Sequence, residues 1–249
     1  MSYNGKNFFG WQKQKYVRTI ENEVEYCLSK LLKKSINIIG AGRTDRGVHA
    51  KQMVAHFDYE KEISNHLVKR LNIFLPKSIR IHDIFCVKNN IHARFDAIKR
   101  TYKYYITSSK DPFYHDFSWH CFYSLDIHKM NDVAKELLKY NDFSSFCKKK
   151  NEKKNEKKKC IIYFASWKKE KNILCFTITA NRFLRSMVRL IVGSFISIGR
   201  GKMKKEEFFK ILESKNSFPF GFTVPACGLF LHKIVYPSNI MLKKMKKIY

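Results

Sequence analysis

One short stretch combines a carboxylate, two guanidinium groups and three glycines. It covers residues 39–50 and reads Ile-Gly-Ala-Gly-Arg-Thr-Asp-Arg-Gly-Val-His-Ala. Its glycines permit a tight loop that a partner can approach closely. Its carboxylate, Asp45, follows Arg43 by two residues and directly precedes Arg46, and nearby cations favour the ionised form that a nucleophile or base requires. A glycine turn with an Asx hydrogen bond and two solvated arginines would have the same pattern.

Two further side chains could take part in chemistry, an aromatic ring and a cation. Tyr102 lies in an alternating segment, on the same face as Tyr104. Its ring could stack on a base, although packing is the commoner role of a strand tyrosine, and we expect that role for Tyr104. Arg189 lies in an apolar segment and needs an anionic partner if it is buried. His49 and His92 show no acid–base partner, so we expect them to form hydrogen bonds within loops.

The elements that must position these residues follow from capping signals and hydrophobic periodicity. Thr19 can cap a helix whose apolar face is Ile20, Val24, Leu28 and Leu31. Further helices are predicted over residues 62–74, after Asp126, and over 182–198 and 204–213. Strands are predicted over 79–87, 98–107, 160–167, 173–180 and 229–236.

Strands that alternate with helices, twice over, predict an α+β protein of two comparable halves. We expect residues 1–107 to form the N-terminal half with the Asp45 loop, and residues 108–249 to form the C-terminal half. The helix over 182–198 belongs to the second half. Three arginines recur at helical spacing within it and would share one face: Arg182, Arg185 and Arg189.

The amino-acid composition bears on the binding partner, the cellular compartment and the presence of a membrane span. The 249 residues carry a net charge of +28, as nucleic-acid-binding proteins often do. Because 38 of the 49 cations are lysines, an AT-rich genome could produce this bias, and the positions of the arginines are more informative. Seven cysteines without a Cys-x-x-Cys pair indicate reduced thiols in a cytosol and no zinc site. No apolar stretch reaches the length of a membrane span.

Five motifs, in order, resemble those of one enzyme family. Phe-Phe-Gly-Trp-Gln-Lys-Gln begins at residue 8, and Gly-Arg-Thr-Asp-x-Gly-Val-His begins at residue 42. His-Ala-Arg-Phe begins at residue 92 and is followed by Arg-x-Tyr-x-Tyr. Phe-Leu-x-x-Met-Val-Arg ends at Arg189, and Pro-x-x-Gly-Leu-x-Leu begins at residue 225. Together they resemble the bacterial class A family of tRNA pseudouridine synthases, which modify the anticodon stem-loop.

The resemblance implies a fold, a reaction and a set of site residues. The fold has a central, mostly antiparallel sheet with helices packed on it and a catalytic cleft between the two halves. The reaction converts uridine to pseudouridine at positions thirty-eight to forty of tRNA, without a cofactor or metal. Asp45 would be the catalytic nucleophile and would pair with Arg189, while Arg43, Tyr102 and Arg189 would bind the substrate. The enzyme would be a cytoplasmic homodimer that binds tRNA and no membrane.

Two other functions stay open at this point. One is a pseudouridine synthase of the same fold with broader RNA specificity, and the other is a catalytically inactive tRNA-binding protein. Retention of Asp45, Tyr102 and Arg189 argues against the second. A phosphate cradle for a nucleotide is disfavoured, since the loop has neither a Walker lysine nor a dinucleotide spacing.

Two segments depart from the family pattern. Lys148 to Lys159 contains eight lysines and no apolar residue, which predicts a flexible surface loop. It stands where the family carries Thr-x-Arg, so a contact that selects the modified site could differ. Met1 to Gly5 aligns with the turn after the family's first strand, and we expect that strand to be missing or cut short.

Overall fold

A computed structural model describes residues 1–147, 159–215 and 222–243. The lysine-rich segment predicted as a surface loop lies outside these residues except for its last position. The strands in chain order are β1 (Ser2–Tyr3), β2 (Ile39–Gly40), β3 (His49–Ala50), β4 (Ala55–His56), β5 (Ile79–Arg80), β6 (Cys86–Val87), β7 (Lys99–Thr107), β8 (Trp119–His120), β9 (Ile162–Glu170), β10 (Ile173–Ala180), β11 (Leu229–Val235) and β12 (Met241–Lys243). The α-helices are α1 (Ile20–Leu32), α2 (Leu67–Phe74), α3 (Ile127–Glu136), α4 (Met187–Gly199) and α5 (Lys205–Ser214).

The strands form a mixed, mostly antiparallel sheet with helices packed on it, which confirms the predicted α+β class. The chain divides into two compact units. The first unit contains residues 1–98 and 231–249, and the second contains residues 99–230. The functional boundary after residue 107 stays a prediction.

In the first unit, the sheet follows the order β5-β1-β3-β11, and α1 packs against α2. The predicted cap of α1 is confirmed, because the Thr19 hydroxyl accepts a hydrogen bond from Asn22 N–H. Two smaller antiparallel pairs, β2–β4 and β6–β12, complete the unit. The pair β2–β4 leads the chain directly into the stretch that carries Asp45.

In the second unit, β7, β10 and β9 form an antiparallel sheet, and β8 pairs with β7 in parallel. Side chains of β10 alternate between buried and half-buried, as a sheet with one covered face requires. Aromatic rings that are almost fully buried fill the core beneath the helices: Tyr104, Trp167, Phe176, Phe195 and Phe208. β9 ends the strand order, and the Asn131 side chain of α3 covers its outer edge at Trp167.

The bounds or the type of three predicted elements in the first unit are wrong. The helix predicted over 62–74 begins only at Leu67, because residues 64–66 form a hydrogen-bonded turn. The strand predicted over 79–87 is two short strands, because the Asn72 side chain binds both backbone groups of Ile81. The segment predicted as a turn at the start of the chain contains β1, which pairs with β3 and β5.

The helix predicted over 182–198 begins instead at Met187. Ser186 has a left-handed backbone, with φ of 58°, so helical geometry cannot extend back through it. Arg182 and Arg185 therefore lie outside the helix, and the prediction that they share a face with Arg189 is wrong.

We expect Asn131→Ala to lower the free energy of unfolding by about 1–3 kcal/mol, because both backbone groups of Trp167 lose their partner at the edge of β9. The measurement is chemical denaturation. Lys135→Ala, an exposed position on the same helix, is the control and should change stability by less than about 0.5 kcal/mol. Equal effects of the two changes would contradict this role of Asn131.

Candidate active site

The Asp45 loop, residues 41–48 between β2 and β3, is held by backbone contacts from the first motif. Trp11 N–H donates to the Thr44 carbonyl at 3.1 Å, and Gly47 N–H donates to the Phe8 carbonyl at 3.2 Å. Gly10 has φ of +90°, and a Cβ there would lie 2.5 Å from the Thr44 carbonyl oxygen. Only glycine fits this position, because it needs both the left-handed backbone and the missing Cβ.

Asp45 is half-buried, and its two neighbours in the chain differ strongly in exposure. Thr44 is buried, and its hydroxyl hydrogen-bonds with the Tyr3 hydroxyl of β1 at 2.9 Å. Arg46 is exposed. Val48 N–H donates to the Asp45 carbonyl at 3.1 Å and closes the turn. The carboxylate is therefore presented from a loop whose backbone is fixed on both sides.

The two arginines of the loop have different surroundings. The Arg46 guanidinium lies 4.2 Å from the centre of the Phe9 ring, and both side chains are exposed. Arg43 is also exposed, and its charge acts on the carboxyl group of Glu21. Arg46 therefore covers an aromatic ring, whereas Arg43 contributes only a minor electrostatic effect on Glu21.

Glu21 of α1 anchors the first motif, a role that the sequence did not reveal. Its buried carboxylate accepts hydrogen bonds from Trp11 Nε1 at 3.2 Å, Gln12 Nε2 at 2.5 Å and Lys13 N–H at 2.6 Å. Burial raises the pKa of this carboxyl group, and the Lys13 hydrogen bond opposes that shift. By sequence Glu21 is only an acidic residue in a first helical turn, and no signal there indicates its partners.

In the second unit, Tyr102 and Tyr104 occupy different surroundings on the same face of β7. Tyr104 is fully buried, its hydroxyl donates to the Pro225 carbonyl at 2.8 Å, and burial raises the pKa of its phenol. This confirms the packing role predicted for Tyr104. Tyr102 is half-buried, and its ring meets Phe183 edge-on at 5.1 Å between centroids.

Arg189 lies in the first turn of α4, and the backbone of Val224 holds it. Its Nε donates to the Val224 carbonyl at 2.8 Å, and Val224 N–H approaches the Arg189 carbonyl at 3.5 Å. Burial raises the pKa of both Tyr104 and Cys227, and the charge of Arg189 opposes that rise in each group. Arg189 is half-buried beside the segment that leads into β11.

The prediction of hydrogen bonds within a loop is confirmed for His92 but not for His49, which lies in β3 and binds a distant part of the chain. His49 Nδ1 accepts from Gly5 N–H at 3.1 Å. His92 Nδ1 accepts from the N–H groups of Arg94 and Phe95. Within the three described ranges, no group of His, Cys, Asp or Glu side chains is arranged to hold a metal ion, and no helix there is long and apolar enough to cross a bilayer.

Comparison with known proteins agrees with these motifs. A family model described as tRNA pseudouridine synthase matches residues 1–96 and 133–237. The chain belongs to this family. Enzymes of the family are isomerases that convert uridine to pseudouridine, and the matched residues include Asp45 and Arg189.

Three relatives named tRNA pseudouridine synthase A cover nearly the whole chain. The protein of Azobacteroides pseudotrichonymphae is 48% identical over 96% of this chain and 96% of its own length. That of Parabacteroides distasonis is 44% identical over 96% and 95%, and that of Bacteroides thetaiotaomicron is 41% identical over 99% and 93%. The similarity therefore extends through both units of this pseudouridine synthase.

We expect Gly10→Ala to destabilise the enzyme by more than about 1 kcal/mol, because alanine disfavours the backbone of Gly10 and its Cβ would strike the Thr44 carbonyl. Thermal unfolding measures the loss. Gly42→Ala is the matched control in the Asp45 loop, since no atom lies within 4 Å of a Cβ there. If Gly10→Ala unfolds at the same temperature as Gly42→Ala, the contact does not support the loop.

Proposed function

We propose that this enzyme converts uridine to pseudouridine at positions thirty-eight to forty of the tRNA anticodon stem-loop, with Asp45 as the nucleophile. The observation that carries the proposal is the Asp45 loop itself. A half-buried carboxylate stands on a backbone fixed by the first motif, between two exposed arginines. The names of the relatives, tRNA pseudouridine synthase A, support tRNA as the substrate.

The chemistry needs little more than one ionised carboxylate. The bond from ribose C1′ to uracil N1 breaks, the base turns, and a new bond forms from C1′ to C5. The proton on C5 leaves, N1 gains a proton, and no oxidant, reductant or energy source enters. Addition of Asp45 to uracil C6, attack on C1′ and removal of the C2′ proton would each begin from the carboxylate form.

The other site residues have roles that match their surroundings. Arg43 is exposed on the Asp45 loop and is suited to bind phosphate. Tyr102 is half-buried, so one side of its ring can meet the extruded uracil, and stacking of this kind is worth ~1–3 kcal/mol per base. Arg189 is held through Nε by the Val224 carbonyl, and the family resemblance assigns it to substrate binding.

The quaternary state and compartment are part of the same proposal. A homodimer follows from the family resemblance. All seven cysteines are free thiols, which supports a reducing compartment such as the cytoplasm. Broader RNA specificity and loss of catalysis are the alternatives that the following experiments address.

Asp45→Asn should abolish pseudouridine formation while tRNA binding stays within a few-fold of wild type. A single carboxylate performs the chemistry, whereas affinity comes from many phosphate contacts. The measurements are mass-spectrometric mapping of pseudouridine in tRNA and a binding titration. Asp83→Asn removes an exposed carboxylate of the same unit and serves as the control. Normal product from the Asp45→Asn enzyme would refute the nucleophile, and wild-type product at other RNA positions would favour broader specificity.

Tyr102→Phe should bind tRNA nearly normally and turn over slowly. The ring keeps its stacking face, but the hydroxyl that could orient or relay a proton is lost. Single-turnover kinetics separate the two effects. Tyr105→Phe removes a hydroxyl from the same strand, at a ring packed against Phe230, and should leave turnover unchanged. Equal rates for wild type and Tyr102→Phe would assign Tyr102 to packing alone.

A further inference from the structure

The third motif forms a turn, residues 92–96 of the first unit, that holds an aromatic ring in solvent. The Phe95 side chain is 73% exposed, and Arg94 beside it is also exposed. The Arg94 guanidinium lies 5.6 Å from the centre of the Phe95 ring. Single exposed apolar side chains are common in proteins, so the exposure of Phe95 alone indicates nothing.

What distinguishes Phe95 is the rigidity of the turn that carries it. His92 N–H donates to the Asp96 carboxylate at 2.6 Å, and Asp96 N–H donates to the His92 carbonyl at 3.0 Å. The His92 ring accepts from both Arg94 N–H and Phe95 N–H through Nδ1. The backbone on either side of the exposed ring is therefore fixed before any ligand arrives, which lowers the entropic cost of binding.

The turn is also fastened to the body of the first unit. Ala93 is buried, its N–H donates to His56 Nδ1 at 3.1 Å, and its carbonyl accepts from the Tyr236 hydroxyl at 2.5 Å. The His56 ring meets the His92 ring at 4.9 Å, and the His92 ring meets Phe95 at 4.2 Å. Burial, followed by the charge of His92, lowers the pKa of His56, which agrees with its role as an acceptor at Nδ1.

A short sheet connects this turn with the Asp45 loop. His56 ends β4, which pairs with β2 in the register Ile39 to His56 and Gly40 to Ala55. The Asp45 loop begins at Ala41, directly after β2, and Ala41 N–H donates to the Val54 carbonyl at 2.8 Å. The strand that leads into the catalytic loop and the strand that supports the turn are therefore neighbours in one sheet.

The chemistry of the turn fits a nucleic acid better than a protein. A fixed, exposed ring can stack on any unstacked base, and an adjacent guanidinium can bind phosphate. The carboxylate of the turn, Asp96, is half-buried and accepts a hydrogen bond from His92 N–H within the turn. Lys88, which precedes the turn in the chain, is exposed. The chain as a whole carries a net charge of +28, which favours binding of a polyanion.

We infer that the turn is a second RNA-binding site, at which Phe95 stacks on an unstacked base of the bound tRNA and Arg94 binds a neighbouring phosphate. The inference rests on the proposed function, because it takes tRNA as the substrate. It assigns positioning of the RNA, not chemistry, to these two residues.

The experiment compares four variants with wild type in tRNA binding, KM, kcat and pseudouridine yield. Phe95→Ala should weaken binding and raise KM at least about fivefold, the change that corresponds to the ~1 kcal/mol lower end of base–aromatic stacking. Its kcat at saturating tRNA should stay within about twofold, and Phe95→Trp should bind as tightly as wild type. Ile73→Ala is the control, since Ile73 is a 77% exposed apolar side chain of α2 in the same unit, and it should change nothing.

Salt dependence separates stacking from phosphate binding. Arg94→Ala should reduce the slope of log affinity against log salt by about one, because one phosphate contact is lost. Phe95→Ala should keep the wild-type slope, because stacking releases no counterion.

The outcomes separate this inference from the proposed function. If wild type makes pseudouridine and Phe95→Ala binds tRNA normally, the second site is refuted while the proposed function stands. If tRNA affinity depends on Phe95 but wild type makes no pseudouridine, the second site is supported and the proposed reaction fails. A change in the solution mass of Phe95→Ala with unchanged tRNA affinity would assign the surface to a protein contact and overturn the inference.

Discussion

The position of Asp45 depends on one backbone contact, the hydrogen bond from Trp11 N–H to the Thr44 carbonyl with Gly10 packed against it. Glu21 of α1 supports this contact through both its backbone and its side chain. Glu21 N–H donates to the Trp11 carbonyl, and the buried Glu21 carboxylate binds the three residues that begin with Trp11. A buried carboxylate is costly unless it is fully hydrogen-bonded, so the first motif and α1 stabilise one another. The first motif is therefore a support for the Asp45 loop and is far from it only in sequence.

Local signals in the sequence predicted much of the fold. The helix-start signals at Thr19 and Asp126, the alternation of β7 and the apolar face of α1 all lie within a few residues of the feature they predict. The errors arose where a distant or unusual contact decided the outcome. The Asn72 side chain binds both backbone groups of Ile81 and so interrupts the predicted strand. The left-handed backbone of Ser186 prevents α4 from beginning before Met187. Neither event leaves a periodic pattern in the sequence.

The sequence predicted which residues belong to the candidate site more readily than the contacts that each of them makes. Periodicity places Tyr102 and Tyr104 on one face of β7, but only the structure shows that Tyr104 is buried and Tyr102 half-buried. Tyr104 lies against Gly228, where a Cβ would come within 2.8 Å of its ring, and its hydroxyl reaches Pro225. Gly228 of the Pro-x-x-Gly-Leu-x-Leu motif therefore leaves the space that the Tyr104 ring of the Arg-x-Tyr-x-Tyr motif occupies. Glu21 escaped prediction because its partners are recognisable only after the chain has folded.

The Asn131 side chain has a consequence for how molecules of this enzyme behave together. An open strand edge can pair with the same edge of another molecule and begin aggregation. At the middle of β9, the Asn131 amide occupies both the donor and the acceptor of Trp167, as a neighbouring strand would. A second molecule would have to break both bonds before it could extend the sheet. One amide on a helix thereby blocks strand pairing at this position of the edge without adding a strand.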